Sequence, residues 1–430
     1  MLFPLVCALL CMIGACNDSD VLTQGTDPRV ESLGRYKVVW LKGTPYEMGY
    51  QHGTLLHDQM KEAVDYINGN LLLALMVEKA RAIGILDLAY ANSYPEVLEE
   101  CRGLVDATAD LGFTMDQCIL LNFGDVLIEF LQDSMPGLAA KIMPACAGIA
   151  VSGAATTDGR LYHGRILDWD NIEYVLNNPV IFVRQPTGGI THAVIGFPGN
   201  VSPYQGMNVE GLSISSNEAH PRNGLFQSLS GRSHVQLLGR ILAGAHNLAE
   251  AEQMIWATDH MSAEIFTIAN GRNNMAAVFE MTATAIGARR LDAKGLVYVT
   301  NHFLAPETAG ADEEPAGFST LLRYARLQQL LEPEGVSTLY GSLDPAGLIR
   351  VMRDRMDPET GTEVPEDTFD NGRSLATSAC LYEIVFDPAN LVFWVAAGRI
   401  PVPQQPFQGF SLGELAGLTN AMLVEPGVYP

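Results

Sequence analysis

Apolar positions recur at helical spacing through the first third of the chain. After a short apolar stretch, YKVVWL from Tyr36, the segment KGTPYEMGYQHGTLLHDQM opens with Thr44, Pro45 and Glu47, the residue types of a helix capping box. Helical periodicity then continues as far as ILLNFGDVLIEFLQD, which begins at Ile119. These patterns predict a mostly helical region over residues 34–145, entered by one strand.

The pattern changes at residue 146, where apolar and polar residues alternate between turn signals. CAGIAVSGAATTDGRLYHGRILDWD predicts two strands joined by a turn at Asp158-Gly159. Further strands are predicted at PVIFVRQ, THAVIGF, GLSISSN, EIFTIAN, MAAVFEM, LVYVTN, CLYEIVFD and LVFWVAA, with helices at SHVQLLGRILAGAHNLAEAEQMIWA and FSTLLRYARLQQLL. Two groups of strands with helices outside them are typical of a layered α/β sandwich, predicted here over residues 146–430.

The first residues have the pattern of an export signal. MLFPLVCALLCMIGAC is apolar, too short to span a bilayer and followed by the polar NDSD, so a signal peptide is predicted over residues 1–15. Its end, Ile13 to Cys16, resembles the lipobox of bacterial lipoproteins, in which Cys16 would carry the lipid; a plain signal peptide cut nearby is the alternative. Residues 16–33 are polar and predicted to be a tether. We expect an exported protein, anchored to the membrane through Cys16 or otherwise periplasmic or secreted.

Composition and charge exclude some classes of partner. A hydrophobic content of 48% over 430 residues indicates a folded chain large enough for one large domain or two. The 49 acidic and 26 basic residues give a formal charge of −23, which repels phosphate backbones. Nucleic acid is therefore not expected as a partner, and contact with a membrane is expected only through the N-terminal anchor.

Four of the seven cysteines lie beyond the predicted export signal: Cys101, Cys118, Cys146 and Cys380. They are widely spaced, with no CxxC pair and no spacing typical of metal ligands. A disulfide among Cys101, Cys118 and Cys380 is left open by the spacing, and small buried thiols are the favoured interpretation.

Cys146 opens a predicted strand, and the hairpin that follows carries Arg165 and Asp168 back towards it. An arginine beside a thiol favours the thiolate, which is the nucleophilic form. The base is either His163, which shares the face of Arg165, or the α-amine of Cys146 itself, exposed if the chain is cut after Ala145. Considered by themselves, these residues also fit a structural cysteine and an ordinary salt bridge.

Five motifs in order resemble one family of enzymes. The segment from Cys146, CAGIAVSGAATTDGRLYHGRILDWD, resembles the start of the catalytic chain in N-terminal-nucleophile hydrolases of the choloylglycine hydrolase and acid ceramidase group. KGTPYEMGYQHGTLL resembles the propeptide region of the isopenicillin N acyltransferase-like branch, and the resemblance continues through GMNVEGLSISSNEA, VYVTNHF and FSTLLRYARL. It implies a four-layer αββα sandwich, with residues 34–145 as propeptide or α-subunit and residues 146–430 as catalytic β-subunit, the two remaining associated after self-cleavage.

The resemblance also implies roles for the residues around the cysteine. Cys146 would be the nucleophile released by cleavage after Ala145. Arg165 and Asp168 match the arginine and aspartate of the family's GRNxD, although Ile166 stands where asparagine is commonest and the hairpin is three residues longer than in bile-salt-cleaving members. Asp168 would hold the amine, and Arg165 would stabilise the thiolate and order Asp168.

Three further residues complete the implied site. Asn217 and Asn301 match the family's oxyanion-hole asparagines, and Arg323 matches its later active-site arginine. Each has an alternative interpretation: asparagines at strand ends are often turn residues, and Arg323 would pair with Glu313 or Glu314 on a helix surface.

The function implied is that of a cysteine hydrolase activated by its own cleavage. It would cut a linear, non-peptide amide of a small N-acyl compound through a thioester, without a metal or organic cofactor. The alternatives are acyl transfer from a thioester donor such as acyl-CoA to an amine, or phospholipase B-like ester cleavage. A surface-anchored ligand-binding protein that stays one uncut chain is the non-catalytic alternative.

Overall fold

The computed structural model describes most of the chain that the sequence predicts to be folded. The described residues are 27–124, 145–169, 171–219, 228–312, 317–365 and 372–424. The predicted signal peptide, Cys16, the first part of the predicted tether, Glu313 and Glu314 lie outside them. Among the described helices, none combines the length and apolar character needed to cross a bilayer.

The helical region predicted before Cys146 is confirmed as far as Asn122, whereas residues 125–144, which include the predicted helical segment DVLIEFLQD, lie outside the described residues. Its helices are α1 (Pro45–Leu55), α2 (His57–Gly69), α3 (Leu71–Ala82), α4 (Ile85–Asn92), α5 (Pro95–Ala107) and α6 (Met115–Asn122). The capping box is present at the start of α1, because the Thr44 side chain accepts from the Glu47 amide while the Glu47 carboxylate accepts from the Thr44 amide at 2.7 Å.

The described strands form two sheets. They are β1 (Arg29–Leu33), β2 (Tyr36–Gly43), β3 (Ala147–Gly153), β4 (Gly159–Asp168), β5 (Val180–Pro186), β6 (His192–Gly196), β7 (Gln205–Asn208), β8 (Leu212–Glu218), β9 (Glu264–Asn270), β10 (Met275–Met281), β11 (Ile286–Arg290), β12 (Leu296–Val299), β13 (Cys380–Asp387), β14 (Val392–Ala397) and β15 (Gln408–Ser411). The nine-stranded sheet has the order β1-β2-β5-β6-β7-β8-β9-β10-β11, and the six-stranded sheet has the order β12-β3-β4-β13-β14-β15.

The α-helices described after Cys146 are α7 (Glu173–Asn177), α8 (His234–Gly244), α9 (Leu248–Trp256), α10 (Phe318–Leu331), α11 (Pro345–Met352) and α12 (Leu412–Leu415). Of these, α8, α9 and α10 lie in the two segments predicted to be helical, whereas α7, α11 and α12 were not predicted. The single long helix predicted from Ser233 is two helices, because the Asn247 side chain caps a new N-terminus by accepting from the amide of Glu250.

Alternating side chains show how the layers are stacked. On β2, Val39 packs against the helical region, whereas Val38 packs between the two sheets. On β3, Ile149 packs under α10 and α11, whereas Ala150 faces the other sheet. Because one face of each sheet meets the other sheet and its opposite face meets helices, the chain is a four-layer αββα sandwich.

The predicted tether is wrong for its last residues, which form strand β1. This strand pairs antiparallel with β2 across a turn at Gly34, whose φ of 62° favours glycine. Arg29 lies opposite Trp40, and its guanidinium carbon stands 3.5 Å from the centre of that indole ring. The cation–π contact lets a polar segment pair with the edge of the sheet.

Two cysteines predicted as buried thiols form a disulfide instead. Cys101 on α5 and Cys118 on α6 are bonded, with their Cα atoms 5.8 Å apart. Because the chain between these two cysteines, which are 17 positions apart, folds back as the end of α5, a turn and α6, the sequence spacing alone could not reveal the pair. Cys146 and Cys380 are buried free thiols, and for Cys380 this agrees with the favoured interpretation.

Candidate active site

The β3–β4 hairpin brings Arg165 next to Cys146. Gly148 pairs with Arg165 in the antiparallel register, so both face the nine-stranded sheet, and Cys146 precedes Gly148 by two residues on that side. A Cβ atom at Gly148 would lie 2.3 Å from Oγ1 of Thr267 on β9. Only glycine fits at this crossing, which lets the two sheets approach closely behind the cysteine.

A small cleft opens at the end of this hairpin. It is lined by Cys146, Arg165, Leu167, Asp168, Trp169, Tyr204, Ser216 and Glu218. The rings of Trp169 and Tyr204 meet edge to face at 5.3 Å and supply an aromatic wall. Three of the six residues predicted to be catalytic therefore share one cleft.

The Cys146 thiol is buried at 3% exposure and donates to the backbone oxygen of Asp168 at 3.5 Å. Burial raises the pKa of this thiol, and the guanidinium of Arg165 only partly opposes that effect. The charge of Arg165 acts in the expected direction, towards the thiolate, but burial outweighs it in the uncut chain. Deprotonation of Cys146 requires a base.

Arg165 hydrogen-bonds to an asparagine rather than to Asp168. Its Nη1 donates to Oδ1 of Asn217 at 2.7 Å, while Nε and Nη2 have no hydrogen-bond partner within the described ranges. The expectation that Arg165 orders Asp168 directly is not met by these contacts. Asn217 Nδ2 in turn donates to the backbone oxygen of Thr300 at 2.9 Å, which ties β8 to the end of β12.

Asp168 is fully buried and hydrogen-bonded through one oxygen. Its Oδ2 accepts from Oγ1 of Thr377 at 2.9 Å, whereas Oδ1 has no hydrogen-bond partner in the described part of the chain. Burial raises the pKa of this carboxyl to about 6, opposed by Arg323 and by the Thr377 hydrogen bond. The group can therefore change protonation near neutral pH.

Arg323 is buried at 1% exposure and faces the peptide bond before Cys146. Its Nη1 donates to the backbone oxygens of Ala145 at 2.8 Å and Cys146 at 2.7 Å, and its Nη2 donates to Oδ1 of Asn301 at 2.8 Å. Burial lowers the pKa of Arg323 to about 10, so the guanidinium stays charged at neutral pH. The surface ion-pair alternative is wrong, since α10 points this side chain into the molecule.

Asn301 and Asn217 belong to the same buried network. Asn301 Nδ2 donates to the backbone oxygen of Glu218 at 2.7 Å, and its own amide donates to Oγ1 of Thr320 at 2.8 Å. Their side chains thus bridge separate elements rather than closing local turns, which corrects the turn interpretation. Among the described residues that line the cleft, neither asparagine appears, and each has one amide hydrogen committed to a carbonyl.

His163 is not placed to act as the base. Its ring nitrogens lie 3.0 Å from the hydroxyls of Ser213 and Ser215 on β8, between the two sheets. Burial lowers the pKa of His163 to about 3, so the ring is neutral and held by both serines. In the described ranges, no group of histidine, cysteine or acidic residues has the arrangement of a metal site.

Thr377, Cys380 and Thr320 were not predicted to belong to the site, although all three support it. Thr377 bonds Asp168, Cys380 is the cross-strand partner of Asp168, and Thr320 bonds the amide of Asn301. Of the three, only Thr320 lies in a motif that carries the family resemblance, FSTLLRYARL, so only Thr320 could have been noticed from the sequence.

Several curated proteins and solved structures are similar to this chain. It is 26% identical over 461 aligned residues to an uncharacterized protein of Archaeoglobus fulgidus, covering 98% of this chain and 74% of that protein. It is 21% identical over 275 residues to protein dcd1B of Dictyostelium discoideum, covering 60% of this chain and about half, 52%, of that protein. Solved structures include the N-acylethanolamine-hydrolyzing acid amidase ortholog of Caenorhabditis elegans, at 17% identity, 57% and 93% coverage of the two chains and a TM-score of 0.40.

Another solved structure found by comparison is a mutant of the conjugated bile acid hydrolase from Clostridium perfringens. It has 15% identity, 67% and 97% coverage of the two chains and a TM-score of 0.36. The family comparison is more informative, because residues 156–399, more than half of the chain, match one family's sequence model. This range includes Arg165, Asp168, Asn217, Asn301 and Arg323, and it begins after Cys146. The expected relationship to acyltransferases is confirmed, and the chain belongs to the acyl-coenzyme A:6-aminopenicillanic acid acyl-transferase family.

Proposed function

We propose that the protein is a cysteine hydrolase of small N-acyl compounds that cuts its own chain between Ala145 and Cys146. The observation that carries this proposal is the position of Arg323. Its guanidinium donates to the carbonyl oxygen of Ala145, and the thiol of the next residue, Cys146, lines the cleft. A cation on the carbonyl and a nucleophile beside it are the two groups that acyl transfer to sulfur requires.

The self-cleavage then proceeds in two steps. Sγ of Cys146 attacks the carbonyl carbon of Ala145, and negative charge develops on the oxygen that Arg323 already contacts. The C–N bond breaks, the nitrogen takes the thiol proton, and the acyl group is left on sulfur as a thioester. Water hydrolyses the thioester, which leaves a carboxylate on Ala145 and a free α-amine and thiol on Cys146. One donor to such an oxyanion contributes about 3–4 kcal/mol.

Turnover reuses the same cysteine with its new amine as base. An α-amine has a pKa of about 7.7–8.0, so it can take the thiol proton that burial otherwise retains. Sγ attacks the substrate amide, the leaving amine departs with that proton, and water releases the acid from the thioester. Asp168 holds the α-amine, Arg165 stabilises the thiolate, and Asn217 and Asn301 donate to the substrate oxyanion. Trp169 and Tyr204 offer an apolar surface to the acyl group.

We propose that the two fragments remain bound to each other after cleavage. Strand β2, from the part before Cys146, lies inside the nine-stranded sheet and pairs in parallel with β5, from the part after it. Separating the fragments would break that ladder and expose the apolar faces around it.

We also propose export. The predicted signal peptide over residues 1–15 and the anchor at Cys16 lead to an oxidising compartment, and the disulfide of Cys101 and Cys118 supports this because such bonds persist there.

The test is the intact mass of purified protein. We expect two species from wild type, one ending at Ala145 and one comprising residues 146–430, and a single chain from Cys146→Ala. Cys380→Ala, which removes the other buried thiol, is the control and is expected to be cut. Wild-type protein that hydrolyses N-acyl compounds as one uncut chain would contradict self-processing, whereas an uncut and inactive wild type would favour the ligand-binding alternative.

Acyl transfer is the second candidate, and the family match favours it. The thioester on Cys146 would then be released by an amine rather than by water, with no change in the protein groups required. Incubation with an acyl-CoA and 6-aminopenicillanic acid distinguishes the two functions by mass spectrometry. We expect free acid from N-acyl amides and no acylated 6-aminopenicillanic acid; formation of that product would instead identify a transferase.

A further inference from the structure

The carboxylate of Asp168 is held on one side only. Oδ2 accepts the Thr377 hydroxyl at 2.9 Å, and the thiol of Cys380, the cross-strand partner of Asp168, interacts with the same carboxylate. Oδ1 is buried and without a hydrogen-bond partner in the described ranges, while Asp168 itself lines the cleft beside Cys146. An unpaired oxygen of a buried carboxylate is costly unless another group binds it.

The segment that carries Thr377 is itself firmly placed. The hydroxyl of Ser374 donates to the backbone oxygen of Ala376 at 2.9 Å, and the amide of Ala376 donates to the backbone oxygen of Asp354 at 3.1 Å. At its end, the amide of Trp169 donates to the backbone oxygen of Ala379 at 2.9 Å. Thr377 is buried, so its hydroxyl has a defined position against Asp168 rather than one of several solvent-exposed rotamers.

We propose that Thr377, with Cys380 beside it, is a positioning residue that fixes the Asp168 carboxylate so that Oδ1 receives a hydrogen of the Cys146 α-amine. The inference rests on the proposed function, because that amine exists only after the chain is cut. Because the Thr377 hydroxyl already hydrogen-bonds to Oδ2 of Asp168, Oδ1 is the oxygen that remains for the α-amine of Cys146. The carboxylate then favours the ammonium form of the amine, and so favours transfer of the thiol proton to it.

The charges around Asp168 determine the direction of the expected pH effect. Burial raises the pKa of Asp168, and the hydrogen bond from Thr377 is one of the interactions that lower it. The other titratable or charged side chains that act on this carboxyl are Arg165, Arg323, Cys146, Cys380 and Glu383. Removing the Thr377 donor leaves these charges in place and raises the pKa of Asp168 further.

The experiment measures how fast iodoacetamide labels Cys146 in the matured protein as the pH is varied, with peptide mass identifying the labelled residue. In wild type, the labelling rate is expected to fall as the pH is lowered and Asp168 takes a proton. This fall is the acidic limb of the pH profile. In Thr377→Val this acidic limb is expected to move to higher pH by about one unit, the size of a hydrogen bond to a charged group. Thr377→Ser, which restores the donor, is expected to behave as wild type.

Thr108→Val is the matched control, since the Thr108 hydroxyl is equally buried but donates to a helix carbonyl on α5. Its acidic limb should not move. A Thr377→Val protein with the wild-type limb, or a Thr377→Ser protein that shifts like valine, would overturn the inference.

If Thr377→Val is not cut, Cys380→Ala provides the same measurement and is expected to shift the limb in the same direction by a smaller amount. Cys380→Ala with an unshifted limb would then overturn the inference. A wild-type chain that is never cut would instead overturn the proposed function itself.

Discussion

Two of the sites that bury arginine in the described part of the chain lie on opposite faces of the nine-stranded sheet, and the partners of their arginines differ. On the face under the helical region, Arg184 of β5 pairs with the carboxylate of Glu100 on α5, and both side chains are less than a tenth exposed. At the cleft, Arg165 and Arg323 bond to asparagine amides, a serine hydroxyl and backbone carbonyls, all of them neutral.

The charge of Arg184 therefore stabilises the fold, whereas the charges of Arg165 and Arg323 are available for chemistry. Arg184 and Glu100 largely cancel each other's field, so the pair links a helix to a strand and does little more. The charge of Arg323 is not cancelled by a bonded carboxylate. Burial disfavours this charge and so lowers the pKa of Arg323 to about 10. Such a cation stabilises any anion formed beside it, whether a thiolate or a carbonyl oxyanion.

The largest effect is expected from Arg323→Met. It removes the donor to the Ala145 oxygen, so self-cleavage should slow by about 100-fold or more, as for other oxyanion donors. The measurement is the fraction of cut chain against time by intact mass after synthesis is stopped.

Arg326→Met is the matched control for that experiment. Arg326 is on the same helix, α10, and is also buried, but its guanidinium pairs with the carboxylate of Asp354 at 2.7 Å. The substitution should lower the free energy of unfolding and leave cleavage intact. Equal rates in Arg323→Met and wild type would show that the unneutralised cation has no role in processing.

The next effect concerns the paired arginine. Arg184→Met leaves Glu100 buried without its cation, which should reduce the free energy of unfolding by about 3–5 kcal/mol. Urea unfolding of the uncut Cys146→Ala chain measures this change. Adding Glu100→Met should recover most of the loss, because two apolar side chains replace the pair. A double variant as unstable as the single one would mean that Arg184 acts through something other than its charge.

Much of this fold followed from local patterns. Strands such as β9 and β13 are buried on both faces and begin and end at turn signals, so their residues identify them without knowledge of their neighbours. Short or polar strands could not be identified from their own residues in this way. β7 and β15 have four residues each, and β1 is mostly exposed, so each is defined by its partner strand rather than by its own sequence.

The site was predicted to a similar degree. Cys146 and Arg165 come together through a hairpin, whose register follows from alternation, and the family resemblance supplied Asn301 and Arg323. The contacts among them could not be predicted, since they depend on how two sheets and α10 stack. Arg165 therefore bonds Asn217 rather than Asp168, and Thr377 reaches Asp168 from a loop far along the chain.

The smallest expected effect, a gain in stability, comes from Asp168→Asn. Burial raises the pKa of Asp168 in the folded chain to about 6 from an ordinary 3.8, so the folded chain binds this proton more tightly than the unfolded chain. The free energy of unfolding therefore falls as pH rises from about 4 to about 6 and remains lower above that. Asparagine removes the loss, and at pH 7 the variant should be more stable by about 1–3 kcal/mol.

Urea unfolding at pH 7 and pH 4, in the uncut Cys146→Ala chain, tests that gain, which should nearly disappear at pH 4. Asp158→Asn is the opposite control. Hydrogen bonds from Arg160 and Tyr162, together with the charge of Arg160, outweigh burial and hold the pKa of Asp158 below its ordinary value, so its loss should destabilise the chain at pH 7. If Asp168→Asn were also less stable than its parent at pH 7, the Asp168 carboxylate would be a stabilising partner of Arg323. The cleft would then resemble the Arg184–Glu100 site. A carboxylate would neutralise its arginines, which would not be available to stabilise a thiolate or an oxyanion.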